Sequence, residues 1–160
     1  MTSLRLLASL SFFGVALSLA PVSAAKLAPL PIAITPPGSV LRERFHDAVA
    51  RGLQQGAPAG ISVLSGGDVR AQLSGDLASC SGTGCATPAA RALSVDRLVV
   101  TEIAVTGKNY SISLRVVDPS GTETSRTADR CDICSVREAD DAVARAAARL
   151  AAMVVIAPAE

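Results

Sequence analysis

Residues 97–118, RLVVTEIAVTGKNYSISLRVVD, constrain the fold more than any other stretch. The first half, 97–107, is β-branched and largely apolar, as a strand with neighbours on both sides requires. After a turn near Gly107, the second half alternates. Tyr110, Ile112, Leu114 and Val116 share one face, and Ser111, Ser113 and Arg115 share the other. A β-hairpin over 97–118 with one solvated face follows. "DPSG" (118–121) makes a second turn, and the polar run "TETSRTADR" (122–130) reads as an edge strand.

A hairpin with one apolar face needs helices to cover it. The segment 135–155 supplies a strong one. Ser135 and Glu138 have capping-box spacing, acidic residues crowd its start, and Arg145 and Arg149 lie later. Val136, Ala139, Val143, Leu150 and Val154 mark its expected buried stripe. An earlier helix starts after "TPPGS" (35–39) with Ser39 as its expected cap. Leu41, Phe45, Val49 and Gly52 fall on one face, Asp47 and Arg51 form an i,i+4 pair, and Gly56 suits its end. "GISVLS" (60–65) is a short strand. Ser65 and Asp68 begin a short helix, and Thr87-Pro88 opens another through Leu93 after a glycine-rich loop. "KLAPLPIAI" (26–34) carries Pro29 and Pro31, so it is a strand only if it starts late or lies at an edge.

The amino terminus bears on compartment. Arg5 precedes an uncharged stretch of 15 residues, Leu6 to Ala20, followed by "PVSAAK". A short basic start, apolar middle and small-residue exit read as a secretory signal peptide, 1–24, cut after Ala24 or Ala25. The apolar stretch is shorter than the ~20 residues of a spanning helix, so no stable membrane span is expected after cleavage. No cysteine near the cut indicates a lipid anchor. A single domain, 25–160, remains. Arg5 is the only charge removed, leaving 14 basic against 14 acidic residues. Phe12 and Phe13 leave too, so the aromatics are Phe45 and Tyr110. A neutral chain without stacking platforms is not expected to bind nucleic acid.

An even number of cysteines in an exported chain argues for disulfides. Cys80 and Cys85 are spaced C-x4-C, and Cys131 and Cys134 C-x2-C. Local bridges, 80–85 and 131–134, are the first expectation among three pairings, and both cross-pairings stay open. Two other chemistries compete: a thiol–disulfide exchange site or a zinc site using Cys131 and Cys134. Exchange wants a thiolate in the first turn of a helix, whereas Ser135 takes the cap and leaves both cysteines outside it. Zinc has four candidate ligands, but C-x4-C is a loose knuckle and an oxidising compartment favours disulfides. His46, the only histidine, is expected at a surface or boundary position beside Phe45. With no second histidine and no G-x-S-x-G serine, no triad can be assembled. Asp140 and Asp141 point about 100° apart on a helix and suit its dipole better than acid–base work. No catalytic, cofactor-binding or metal-binding residue is expected. A small-ligand or lipid-handling role has no specific residue behind it in the sequence.

The segment 91–128, RALSVDRLVVTEIAVTGKNYSISLRVVDPSGTETSRTA, resembles the amino-terminal domain of the TolB family. "LAPLPIAI" is similar to that family's first strand, and "GISVLSGGDV" to its second strand and turn. The resemblance covers most of 27–155, and curli-assembly-type α/β domains share its motifs. Exported, cysteine-bearing chains of high-GC Gram-negative bacteria are similar too. Ser94 stands where the family has glycine, the cysteines are foreign to it, and the β-propeller of TolB is not expected here. The resemblance implies a two-layer α/β (α+β) domain, a mixed sheet with helices on one face. It also implies a non-enzymatic role, docking onto a protein partner in the cell envelope. The expectation is an exported, periplasmic or secreted interaction module stabilised by disulfides.

Overall fold

The computed structural model describes residues 24–154. Residues 1–23 of the expected signal peptide, and residue 155 at the end of the expected last helix, lie outside that range. The order is β1 (Ala25–Pro29), β2 (Ala33–Thr35), α1 (Ser39–Gly56), β3 (Ile61–Val63), α2 (Gly66–Gln72), α3 (Ala86–Leu93), β4 (Arg97–Thr106), β5 (Asn109–Val117), β6 (Glu123–Cys131) and α4 (Val136–Ala152). Two short 3-10 turns, Gly75–Ser79 and Thr83–Cys85, join α2 to α3.

The sheet is mixed, with order β3-β1-β4-β5-β6, and β2 pairs with β4 beyond the end of β1. β1 runs parallel to β3 and to β4, while β4, β5 and β6 are antiparallel. The hairpin forms where the sequence places it, turning at Gly107, whose φ of +63° suits glycine. Strand β6 is the polar edge. The proline-containing run differs from expectation, because β1 lies inside the sheet. The strand ends at Pro29, Leu30 N–H still donates to the Val99 carbonyl, and pairing resumes at β2. The prolines interrupt the strand rather than exile it to an edge.

The α/β architecture is as the sequence predicts, with the long helices α1 and α4 on one face. Strand side chains alternate between faces. Leu27, Val99, Ile103, Ile112, Leu114 and Val116 meet Phe45, Val49, Leu53, Val143 and Leu150 there. Over one end of the opposite face, α2 and α3 pack against Ala28, Leu98, Val100 and Val117, so helices cover part of both faces where one covered face was expected. The Phe45 and Tyr110 rings meet edge to face at 6.0 Å, which joins α1 to the hairpin.

Local details depart from the sequence reading in informative ways. Gly38 is the residue before α1, and Ser39 is its first helical residue rather than a cap. Asp47 and Arg51 do not pair with each other. Asp47 binds Arg70 at 2.8 Å and Arg51 binds Asp140 at 2.8 Å, because packed neighbours offer closer partners. Helix α3 starts at Ala86, and the Thr87 hydroxyl donates to the Pro119 carbonyl at 2.7 Å instead of capping. Ser65 and Ser135 do cap α2 and α4, and the Ser135–Glu138 capping box closes. Val136 is more than one-third exposed, outside the buried stripe. Ser94, at the carboxyl end of α3, has φ +51°, the left-handed conformation for which the resembled family uses glycine.

Candidate functional site

Two places gather chemistry. One is the Cys131–Cys134 clasp. Strand β6 ends at Cys131, opposite Tyr110 of β5. The chain then reverses into α4, and Cys131 and Cys134 lie at disulfide distance with their Cα atoms 5.8 Å apart. The Ile133 N–H donates to Asn109 Oδ1 at 2.8 Å, and the Cys134 N–H to the Lys108 carbonyl at 2.9 Å. The clasp is thereby fixed to the hairpin turn. At its tip Ile133 is 81% exposed with φ +53°. A β-branched residue seldom adopts that conformation, and the strain is of order 1–2 kcal/mol. Such a residue persists only where the surroundings impose it.

Cys80 and Cys85 also lie at disulfide distance, with Cα atoms 6.0 Å apart, tying the 3-10 turns to the start of α3. Gly121 packs against the Thr83 carbonyl, so this pair lies near the 118–121 turn. The Cys131 pair lies near the 107–108 turn. Strand β5, with 9 residues or roughly 30 Å, runs between those ends. The four cysteines therefore do not converge, and among the described residues no cluster of three or more His, Cys, Asp and Glu has the arrangement of a metal site.

The second place carries no motif in the sequence. A cleft of about 330 Å³ opens between α1, α2 and the β1–β2 link. Helix α1 lines it with Ser39, Arg42, Glu43 and His46, an i, i+3, i+4, i+7 stripe beside the core-facing one. Val69 and Arg70 of α2, with Leu73 just past its end, face that stripe, and Pro31, Ile32 and Ala78 complete the wall. Ala78 lies in the first 3-10 turn, two residues before Cys80.

His46 corrects the sequence reading. It is buried, 4% exposed, because α2 and the β1–β2 link fold over it. Arg70 Nη1 lies 3.2 Å from Nδ1, and a guanidinium only donates, so Nδ1 accepts. That leaves the proton on Nε2, which donates to the Pro29 carbonyl at 3.4 Å. The ring is neutral. Burial holds its pKa below the ordinary value, with Arg70 lowering it further against the opposing effects of Pro29 and Asp47. Both nitrogens are engaged, so His46 is poorly placed to act as a base. Arg42 differs. Its Nε is buried without an acceptor, and it joins no ion pair among the described residues.

The structure defines an α/β domain with two long helices on a mixed sheet. No protein-family model matches the sequence, and no curated protein matches it. Solved structures do share the fold. The PelC dodecamer from Paraburkholderia phytofirmans is 12% identical, with a TM-score of 0.52 over 83% of this chain and 89% of that one. The LpoB C-terminal domain from Salmonella enterica is 10% identical, with a TM-score of 0.54 over 69% and 84%. Lipoprotein GNA1162 from Neisseria meningitidis is 15% identical, with a TM-score of 0.51 over 67% and 79%. At these identities the likeness is one of fold. It supports a fold related to the one the sequence suggested, and it does not single out the TolB family. Among the described residues no helix is long and apolar enough to cross a membrane.

Proposed function

We propose that the chain is an exported, non-enzymatic interaction module of the bacterial cell envelope, which docks a protein partner through the tip of the Cys131–Cys134 clasp. The observation that carries this is Ile133, a large apolar side chain held outward in a strained conformation. The clasp fixes its backbone, while the side chain itself is left almost wholly to solvent. A disulfide, the Asn109 side chain and the Lys108 carbonyl all fix it. Preorganised apolar side chains of this kind lose little entropy on docking. Val136, three residues on and also partly exposed, widens the contact. Compartment rests on the sequence of residues 1–24 and on the paired cysteines, which suit an oxidising environment. The TolB-like pattern of 91–128 agrees with envelope docking, and so does the fold shared with lipoprotein GNA1162. A non-enzymatic role agrees with the neutral, doubly engaged His46.

The test is a photo-cross-linkable residue placed at position 133 of the full chain in a Gram-negative host. A discrete adduct in the envelope fraction, absent when the probe stands at exposed Arg91 on α3, is the expected result. A chain retained in the cytoplasm would overturn the reading, as would indistinguishable adducts from the two positions.

A further inference from the structure

The geometry points to the cleft between α1, α2 and the β1–β2 link as a binding site for a small amphipathic carboxylate. The head would rest on Arg42 and the aliphatic tail would lie along Ile32, Val69 and Leu73. Size admits a small molecule, since about 330 Å³ lies at the lower end of ligand pockets.

Charge selects the head. Arg70 already binds Asp47 at 2.8 Å and donates to His46. His46 is neutral, with both nitrogens occupied. Arg42 is therefore the cation of the cleft that lacks an anion, and its buried Nε lacks an acceptor. A buried N–H without a partner is uncommon and asks for an explanation. Nε itself is closed off, but the cleft reaches the terminal nitrogens of the same guanidinium, and the two oxygens of a carboxylate match their fork. Glu43, the next residue on the same rim, disfavours a second negative charge. One uncompensated arginine beside a carboxylate suits a monoanion better than a phosphate dianion.

The walls select the tail. Pro31, Ile32, Val69, Leu73 and Ala78 are apolar, and Val69 and Leu73 are themselves buried in the small core under α2. The Cys80–Cys85 pair sits two residues past Ala78. This site lies on a different part of the molecule from the clasp, and its occupancy does not depend on a protein partner.

Titration of the full-length mature chain with octanoate, octanol and butyrate, followed by backbone amide chemical shifts, tests the site. Octanoate should bind saturably and shift signals in 39–46 and 69–73. Octanol, which keeps the tail and loses the charge, should bind at least about tenfold more weakly, and so should butyrate, which keeps the charge and shortens the tail. Arg42→Gln should weaken octanoate by a similar factor, with Arg42→Lys between the two, because a lysine keeps charge without the fork. Absence of saturable octanoate binding up to about 10 mM would overturn the proposal. Equal affinity for octanol and octanoate would do so as well, by showing that no head group is read. That comparison uses the unaltered chain and stands even if Arg42→Gln fails to fold.

Discussion

Gly52 of α1 lies so close to Ala144 of α4 that a Cβ built on it would collide with the Ala144 carbonyl oxygen and stand 2.8 Å from the Ala147 Cβ. One turn later Gly56 meets Ala148 in the same way. The two long helices approach backbone to backbone at these points. Gly→Ala inside a helix ordinarily stabilises by about 1 kcal/mol. Here the sign reverses. Gly52→Ala is expected to cost roughly 1–3 kcal/mol through overpacking, since the obstacle is backbone and cannot swing aside. Gly82→Ala, with nothing within 4 Å, should change stability by less than about 0.5 kcal/mol. Urea midpoints of the two variants check the contrast, and a stabilised Gly52→Ala would contradict the packing.

The neutral His46 makes stability depend on pH in a defined window. Its folded pKa lies below the ordinary value of about 6.5, chiefly through burial, so the unfolded chain binds more protons near that pH. The stabilisation is complete above about pH 6.5 and is lost as pH falls through the lower folded value. Protonation would also set an N–H on Nδ1 against the Arg70 guanidinium. Asp129, held down by its hydrogen bond from Arg149, and Glu138, held down by the Ser135 cap, act in a separate and lower window, near pH 4 and below. Unfolding midpoints should fall between pH 7 and 5, and His46→Gln should flatten that part of the profile. An unchanged slope in the variant would assign the dependence elsewhere.

The parts legible in the sequence are those whose signal is local. Period-two alternation over 110–116 placed the hairpin, and Ser135 with Glu138 placed α4. The spacing of Gly52 alone puts it on the packed face of α1. What escaped depends on contacts between distant segments. His46 reads as a boundary residue on its helix, and only the folding of α2 and the β1–β2 link across it makes it buried. The cleft stripe of Ser39, Arg42, Glu43 and His46 does have helical spacing. Mixed polar residues at that spacing look the same on a solvated face, however. Pro29 and Pro31 point to a late start, as β2 has, or to an edge, which β1 does not occupy; a proline's effect depends on which side of the strand is unpaired, and spacing does not record that. Ile133 carries no warning in sequence, since its left-handed backbone follows from the closure of the clasp.

The clasp contributes stability as well as shape. Removing a local bridge returns conformational freedom to the unfolded chain, and loops this short correspond to about 2 kcal/mol. Replacing Cys131 and Cys134 together by serine should lower stability by about that amount. The Cys80/Cys85 pair should give a similar figure. Because the pairs sit at opposite ends of β5, the two losses should add within about 0.5 kcal/mol. Denaturant melts of the two double variants and the quadruple variant measure this. Loss of the Cys131 pair should also abolish the position-133 cross-link, whereas loss of the Cys80 pair should leave it.

Among the described residues Ser94 and Ile133 are the non-glycine positions with positive φ, 51° and 53°, and the docking proposal gives the strain a role at Ile133 alone. Ser94 is exposed at the end of α3, where glycine is the usual residue. Ser94→Gly should raise stability by about 1 kcal/mol and leave partner docking untouched. Ile133→Asn should bring a similar gain, since asparagine tolerates the left-handed region better than a β-branched side chain does. It removes the exposed apolar group at the same time, so the envelope adduct should disappear from a probe at neighbouring Asp132. Stability and docking thus move together at Ser94→Gly only if the proposal is wrong, and move in opposite directions at Ile133→Asn if it is right. A probe at Asp132 that still captures the partner in the Ile133→Asn chain would show that the strained isoleucine is not the contact.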